Sequence, residues 1–293
     1  PSTGAPMKFE TSNLGKTIIR GSSFDWGRRT YVMGVVNVTP DSFSGDGLYK
    51  DVDASVQQAL RFQEEGADII DIGGESTRPP WMYEGAEPAT EEEELGRVIP
   101  VIESLSERLR VPISIDTYRA GVASRALTAG ASMINDVWGF TRDPDMAALA
   151  AETGVPVVLM HNQDHTRYDD LVPDVIDALR HMRDNAVSAG VALDNIVLDP
   201  GMGFGKTAEH NLEILQRLDE FLVLERPLLI GMSRKATIGA VLDLPVNERV
   251  EGTAATVALS IAKGANIVRV HDVKEMVRVA RMSDAIVRGN RQP

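Results

Sequence analysis

The feature that most constrains the fold is a pattern that recurs eight times along the 293 residues. In each unit, a short run of apolar and β-branched residues ends at a polar or glycine cluster, and a longer segment with helical periodicity follows. The apolar runs are continuous rather than alternating, which is typical of parallel strands buried on both faces. The predicted strands are Tyr31–Val36, Asp68–Ile72, Pro112–Ile115, Ser132–Ile134, Val155–Met160, Ile196–Leu198, Leu228–Met232 and Asn266–Val270.

Helices are predicted between these strands, and no Pro/Ser-rich linker interrupts the alternation. Eight units favour an α/β fold of the (β/α)₈ TIM-barrel type over a doubly wound sheet, which usually has five or six strands. We predict one barrel domain over residues 17–293, closed at the bottom by a hairpin at Thr17–Ser23. Residues 1–16 are an N-terminal extension in which we expect Met7 to be the natural start. The clearest helices are Val52–Glu65, Glu91–Arg108 with Thr90 as N-cap, Asp174–Ala189 and Asn211–Leu222.

Composition limits the classes of partner. A net charge of -13 and a pI near 4.9 repel polyanions, so nucleic acid is not an expected partner. The absence of cysteine excludes disulfides, thiolate metal sites and cysteine nucleophiles, and it agrees with a cytoplasmic location. No apolar run approaches the roughly 18 residues that span a bilayer, so we expect no membrane association.

Polar residues follow every predicted strand, at the end of the barrel where active sites of this fold lie. One such residue is more often a helix cap or turn residue, but eight exits with functional groups predict a site. Asp116, Asn135 and Asp199 suit a neutral ring that is rich in N–H donors. A second set supplies cations for an anionic group, close to the loops where barrels often bind phosphate: Arg78, Lys235, Arg269 and His271.

Three familiar motifs are not supported. The stretch LDPGMGFGKT has Pro200 where a P-loop requires its first glycine. His161 and His165 have an HxxxH spacing, but no third zinc ligand follows at a suitable spacing. A serine-hydrolase GxSxG elbow is absent. Phe204 either covers an aromatic face of a ligand or packs within its own loop.

The strand exits, taken in order, resemble a known family. They read GVVNVTPDSFSGDG, DIIDIGGESTRP, ISIDT, MINDVWG, VVLMHN, LDPGMGFGK, LLIGMSRK and VRVHDV. This series closely resembles the dihydropteroate synthases of the pterin-binding barrel family, from about Thr17 to Arg288. The resemblance implies a transferase of folate biosynthesis that joins 6-hydroxymethyl-7,8-dihydropterin diphosphate to para-aminobenzoate and releases diphosphate.

The resemblance also implies residue roles. Asp116, Asn135, Asp199 and Lys235 would bind the pterin ring. Asn37, Arg78, Arg269 and His271 would hold the diphosphate, with Asn37 as a ligand of Mg²⁺, which often relies on substrate phosphates for its other ligands. The catalytic residues implied by the resemblance are Asn37, Asp41, Arg78, Asp116, Lys235, Arg269 and His271. The aminobenzoate site, where sulfonamides would compete, would involve the first two loops together with Phe204 and Lys235, and the loop residues concerned are Thr39, Asp41, Ser42, Phe43, Thr77, Arg78 and Pro79.

Two departures from the family pattern and two alternative functions remain. The second loop continues as PWMYEGAEP, longer than usual, and Ala236 replaces the Ser or Arg that often follows SRK. A methyltetrahydrofolate methyltransferase of the same barrel family would not need a diphosphate clamp. A catalytically silent pterin-binding paralogue would not need the first two loops. The resemblance favours a homodimer formed through late helices, although the apolar residues there could equally belong to the core.

Overall fold

The computed structural model describes residues 14–38, 48–75 and 89–289, with only the backbone described for residues 48–51. Within these ranges lie a two-stranded antiparallel hairpin and an eight-stranded parallel sheet. The hairpin strands are β1 (Lys16–Ile19) and β2 (Ser22–Asp25). The sheet strands are β3 (Tyr31–Asn37), β4 (Ile69–Gly73), β5 (Ile113–Asp116), β6 (Met133–Asp136), β7 (Val157–Met160), β8 (Ile196–Asp199), β9 (Leu229–Ile230) and β10 (Ile267–Val270).

The parallel sheet is a barrel. Its strand order is β8-β7-β6-β5-β4-β3-β10-β9, and a parallel bridge between Leu198 and Leu228 joins the two ends. The TIM barrel predicted from the eightfold pattern is therefore confirmed. The seventh strand is shorter than predicted: only Leu229 and Ile230 belong to it, and Leu228 contributes the closing bridge.

Helices surround the sheet. They are α1 (Leu48–Glu65), α2 (Glu91–Ser106), α3 (Ala120–Ala129), α4 (Met146–Thr153), α5 (Leu171–Ser188), α6 (Ala208–Gln216), α7 (Ala236–Leu242), α8 (Val250–Ala262) and α9 (Val273–Val287). Thr90 caps α2 as predicted: its hydroxyl accepts from the Glu93 amide at 3.2 Å, while the Glu93 carboxylate accepts from the Thr90 amide at 2.8 Å.

The predicted helix Asn211–Leu222 is wrong as a single element. It ends at Gln216, and a 3₁₀ helix runs from Leu218 to Leu224. Leu218, Phe221 and Leu224 in that segment are fully buried. Their spacing of three residues matches the three residues per turn of a 3₁₀ helix, so this geometry places all of them on the core side.

The hairpin closes the N-terminal end of the barrel, as expected. Ile19, Phe24 and Trp26 are buried against the apolar side chains that fill the lower barrel interior. Trp26 Nε1 donates to Thr17 Oγ1 at 2.9 Å, and Thr17 Oγ1 donates to the Asp194 carbonyl, just before β8, at 2.5 Å. In the described part of the chain, no helix is long and apolar enough to cross a bilayer.

Candidate active site

The barrel interior changes from apolar to polar along the strands. Successive side chains on a strand point to opposite faces, so residues two apart face the same side. Met33, Ile69, Met133, Val197 and Ile267 belong to the apolar cluster at the bottom. Two or four residues further along the same strands lie the polar groups of the upper layer, namely Asn37, Asp71, Asn135, Asp199 and Arg269.

Arg269 connects this polar layer across the barrel. Its Nε donates to Asp71 Oδ2 at 2.6 Å, and its Nη2 donates to Asp116 Oδ2 at 2.5 Å. Asn135 Nδ2 donates to the same Asp71 oxygen at 3.0 Å. The sequence placed Arg269 with the anion-binding group, whereas the structure also makes it the counterion of two carboxylates in the ring-binding half.

Asp71 is a site residue that the sequence interpretation missed. It is fully buried and contacts both Arg269 and Asn135. A buried carboxylate is stable only when it is paired and hydrogen-bonded. The signal was present in the sequence. Within the apolar run DIIDIG, Asp71 follows Ile69 by two residues, so its side chain faces the barrel interior as that of Ile69 does.

Two carboxylates offer acceptor atoms to a ligand. Asp116 and Asp199 are buried, and Asp116 Oδ1 has no hydrogen-bond partner among the described residues. Burial raises the pKa of Asp116 to about 7, with Arg269 opposing the rise and nearby carboxylates adding to it. Burial also raises the pKa of Asp199, against the Gly201 amide, which donates to Asp199 Oδ1 at 2.7 Å, and against Lys235. A ligand with adjacent N–H donors would satisfy such acceptors.

Lys235 lies at the edge of the acceptor layer. Its Nζ donates to the Met202 carbonyl and sits 4.3 Å from the centroid of the Phe204 ring. Burial lowers the pKa of Lys235 to about 8, with Asp199 opposing the shift. Gly203 permits this approach, because a Cβ there would lie 3.1 Å from Lys235 Cδ. The ring of Phe204 therefore has one face turned to the Lys235 ammonium.

His271 adjoins this cationic region. Its Nδ1 lies 3.0 Å from Ser233 Oγ, and its backbone amide donates to the same oxygen at 3.1 Å. Burial, together with Arg269, Arg234 and Lys235, lowers the pKa of His271 to about 4. At neutral pH the imidazole is therefore an uncharged hydrogen-bonding group, rather than the cation expected from the sequence.

The ring-binding and anion-binding groups lie at the same end of the barrel. Asp199 and His271 come from different strands, yet each interacts electrostatically with both Arg269 and Lys235. The arrangement predicted for one small ligand with a polar ring and an anionic tail therefore has its acceptors and its cations adjacent.

Lys206, from the stretch that resembles a P-loop, is buried beneath the same loop. Its Nζ is 2.8 Å from His161 Nδ1 and donates to the Phe204 carbonyl at 3.0 Å. Burial lowers the pKa of Lys206 to about 7, and burial beside Lys206 lowers that of His161 to about 3. The lysine supports the Phe204 loop, and His161 faces Lys206. The described residues contain no cluster of three or more His, Cys, Asp or Glu side chains suited to a metal.

Asn37 ends β3 with an exposed side chain that no described residue hydrogen-bonds. Its amide oxygen is thus free to serve as one oxygen ligand, the donor type that Mg²⁺ prefers. Seven predicted site residues lie outside the described residues, namely Thr39, Asp41, Ser42, Phe43, Thr77, Arg78 and Pro79.

Comparison with known proteins identifies the family. Residues 33–271 match the family described as pterin binding enzyme. A dihydropteroate synthase of Clostridium beijerinckii is 51% identical over 271 residues, covering 92% of this chain and 99% of that protein. The chain belongs to the pterin-binding enzyme family and, within it, to the dihydropteroate synthases, which are transferases.

Solved structures show the same relationship. A dihydropteroate synthase from Clostridium difficile, determined in the presence of pteroic acid, matches with a TM-score of 0.87 and 50% identity, covering 90% of this chain and 99% of that one. One from Xanthomonas albilineans, determined with 4-aminobenzoic acid, matches with a TM-score of 0.87 and 42% identity, covering 92% and 97% of the two chains.

Proposed function

We propose that this chain condenses 6-hydroxymethyl-7,8-dihydropterin diphosphate with para-aminobenzoate to give 7,8-dihydropteroate and diphosphate. The observation that supports it most strongly is the side-chain cluster at the barrel mouth, in which Arg269 joins the carboxylates of Asp71 and Asp116 and interacts electrostatically with His271, as does Lys235. The related structures with pteroic acid and with 4-aminobenzoic acid support the same two substrates.

The chemistry requires departure of diphosphate and approach of a weakly basic amine. As the C–O bond to diphosphate breaks, positive charge develops on the pterin methylene and spreads into the reduced ring. The carboxylates of Asp116 and Asp199 stabilise this charge, because they are buried and already oriented. Arg269 and Lys235 attract the departing anion, and an uncharged His271 donates a hydrogen bond to it.

Mg²⁺ is part of this proposal. Asn37 would supply one ligand, with the substrate diphosphate oxygens and water as the others. When bound, the ion would neutralise charge on the diphosphate. Binding of Mg²⁺ only in the presence of pterin diphosphate, measured by calorimetry, is the expected result; equal binding to the free protein would contradict this ligand arrangement.

Turnover is tested by mixing the purified chain with the pterin diphosphate, para-aminobenzoate and Mg²⁺. Diphosphate should appear in step with dihydropteroate, and omission of para-aminobenzoate should abolish dihydropteroate formation. Binding of the pterin diphosphate without turnover would instead support a catalytically silent paralogue. Binding of methyltetrahydrofolate with no preference for the diphosphate ester would support the methyltransferase alternative. Sulfonamides should compete with para-aminobenzoate.

A homodimer is proposed as the functional state. Leu259 on α8 and Met282 and Ile286 on α9 are 60%, 63% and 71% exposed, and α8 packs against α9. Exposed large apolar side chains on adjacent helices are typical of an interaction surface. Sedimentation should give a dimer that Ile286→Asp converts to monomer; a wild-type monomer at micromolar concentration would refute the proposal. A cytoplasmic location is also proposed, supported by the absence of cysteine, and cell fractionation would test it.

A further inference from the structure

Arg234 occupies an unusual position between two residues of the site. It follows Ser233, whose hydroxyl contacts His271, and precedes Lys235, whose ammonium lies against Phe204. Its φ is +58°, in the left-handed region that L-residues rarely adopt. Such a conformation persists only where surrounding contacts impose it.

The contacts of Arg234 join three segments. Its amide donates to Thr253 Oγ1 at 3.1 Å, and its carbonyl accepts from Arg249 Nη1 at 3.0 Å. Its guanidinium donates to both carboxylate oxygens of Asp272, from Nε to Oδ2 at 2.9 Å and from Nη2 to Oδ1. Since Asp272 directly follows His271, this two-point contact holds the loop after β9 against the end of β10.

The ion pair is partly open to solvent. The Arg234 side chain is 40% exposed, and the Asp272 side chain is 17% exposed. Solvent screening reduces the contribution of such a pair to the free energy of unfolding. A planar guanidinium that meets a carboxylate through two parallel bonds nevertheless fixes relative orientation, because both groups lose rotational freedom.

We propose that Arg234 is a positioning residue: its ion pair with Asp272 sets the placement of Ser233 against His271 and thereby the affinity for the diphosphate group, not for the pterin ring. The inference rests on the proposed function, because it assigns the diphosphate to His271. The ring-binding acceptors Asp116, Asn135 and Asp199 lie on other strands and do not contact Arg234 or Asp272 in the described structure. Lys235, the fourth residue assigned to the ring, follows Arg234 in sequence, but its ammonium is held separately by the Met202 carbonyl.

The test measures, in four variants, the Kd for pterin diphosphate, the Kd for bare 6-hydroxymethyl-dihydropterin and the KM for pterin diphosphate in turnover. Arg234→Ala and Asp272→Asn should each raise the Kd and the KM for pterin diphosphate about 10-fold to 100-fold, the range expected when a binding group shifts by about 1 Å. The Kd for bare 6-hydroxymethyl-dihydropterin should stay within about twofold. Arg234→Lys should recover part of the loss, since it retains the charge but not the two-point contact. The double variant should be no worse than the poorer single variant.

Arg234→Gly separates the ion pair from the backbone conformation. Glycine adopts positive φ freely, so this variant keeps the turn and loses only the side chain. It should behave like Arg234→Ala. A wild-type KM in Arg234→Gly would overturn the proposal, because only the backbone would then matter. An equal loss of affinity for bare pterin in Arg234→Ala would also overturn it, since that result indicates general damage to the site.

Arg29→Ala is the matched control. Arg29 makes a two-point contact with Asp68, at 2.9 and 2.6 Å, at the opposite end of the barrel. Its removal should leave the KM for pterin diphosphate unchanged, and a comparable rise there would overturn the proposal. Wild-type turnover is measured in parallel. Its absence would refute the proposed function, whereas wild-type turnover with an unaffected Arg234→Ala would refute only this inference.

Discussion

Replacing Arg269 by alanine should weaken binding of bare pterin as well as pterin diphosphate. From sequence alone, a loss confined to the diphosphate ester is expected, because Arg269 groups there with the anion-binding residues. The structure pairs the guanidinium with Asp71 at 2.6 Å and with Asp116 at 2.5 Å. Without this cation, the pKa of Asp116, already raised to about 7, should rise further, so that the carboxyl is protonated at neutral pH.

The magnitude follows from the change in hydrogen-bond type. A hydrogen bond to a charged group contributes about 1.5–3 kcal/mol and one between neutral groups about 0.5–1.5 kcal/mol. Bare pterin should therefore lose about 1–2 kcal/mol, roughly 5-fold to 30-fold in Kd. The diphosphate ester also loses a charged contact, and truncation of a buried charge pair costs about 2–5 kcal/mol, so its total loss should be about 100-fold or more.

Isothermal titration calorimetry with both ligands at pH 7 and pH 9 measures this effect. In Arg269→Ala, part of the bare-pterin affinity should return at pH 9, because Asp116 ionises again. Arg269→Lys, which keeps a point charge but cannot contact both carboxylates in the same way, should lie between wild type and Arg269→Ala. Bare-pterin affinity within twofold of wild type at both pH values would refute the reasoning.

Three further predictions concern pH and backbone space. The affinity of wild type for bare pterin should rise about tenfold between pH 6 and pH 8, because the ionised fraction of Asp116, with a pKa of about 7, grows over this range. Asp116→Asn should show no such rise. The free energy of unfolding of wild type should contain a contribution from Asp116 that is present below about pH 4 and is lost as pH rises through 7, and Asp116→Asn should lack this contribution. The pKa of Lys206 falls from 10.5 to about 7 on folding, so the free energy of unfolding of wild type should increase as pH rises from 7 to 10.5. Chemical denaturation of Lys206→Met should show that this increase is absent. Gly201→Ala should prevent soluble folding or ligand binding, because its Cβ would lie 1.8 Å from the His161 carbonyl oxygen. In Gly203→Ala the nearest atom is the flexible Lys235 Cδ at 3.1 Å, so a thermal melt should show that the free energy of unfolding falls by only about 1–3 kcal/mol, owing to the positive φ.

Periodicity accounts for how much of the fold could be predicted. Continuous apolar runs located all eight barrel strands, because a strand buried on both faces has to be apolar along its length. The break at Arg217 could not be found in the same way, since the apolar spacing of Leu218, Phe221 and Leu224 fits a helical periodicity until the packing selects a 3₁₀ turn.

The site was predictable in its location but not in its pairing. Their positions directly after predicted strands placed Asp116, Asn135 and Asp199 at one mouth of the barrel. The partner of a charge depends on distances across the barrel, so the link from Arg269 to Asp71 and Asp116 could not be derived from spacing along the chain. The neutral state of His271 was missed for a related reason, because its pKa depends on burial and on Arg269 and Lys235.

The shared contact of Asp116 and Arg269 limits how this enzyme could escape an inhibitor. A compound that places an N–H donor on Asp116 Oδ1 would occupy an atom without a partner among the described residues. Any substitution that removes this acceptor also removes one of the two carboxylates that hold the Arg269 guanidinium. Resistance at this carboxylate would thus cost substrate affinity, so compounds of this kind should select resistant variants slowly.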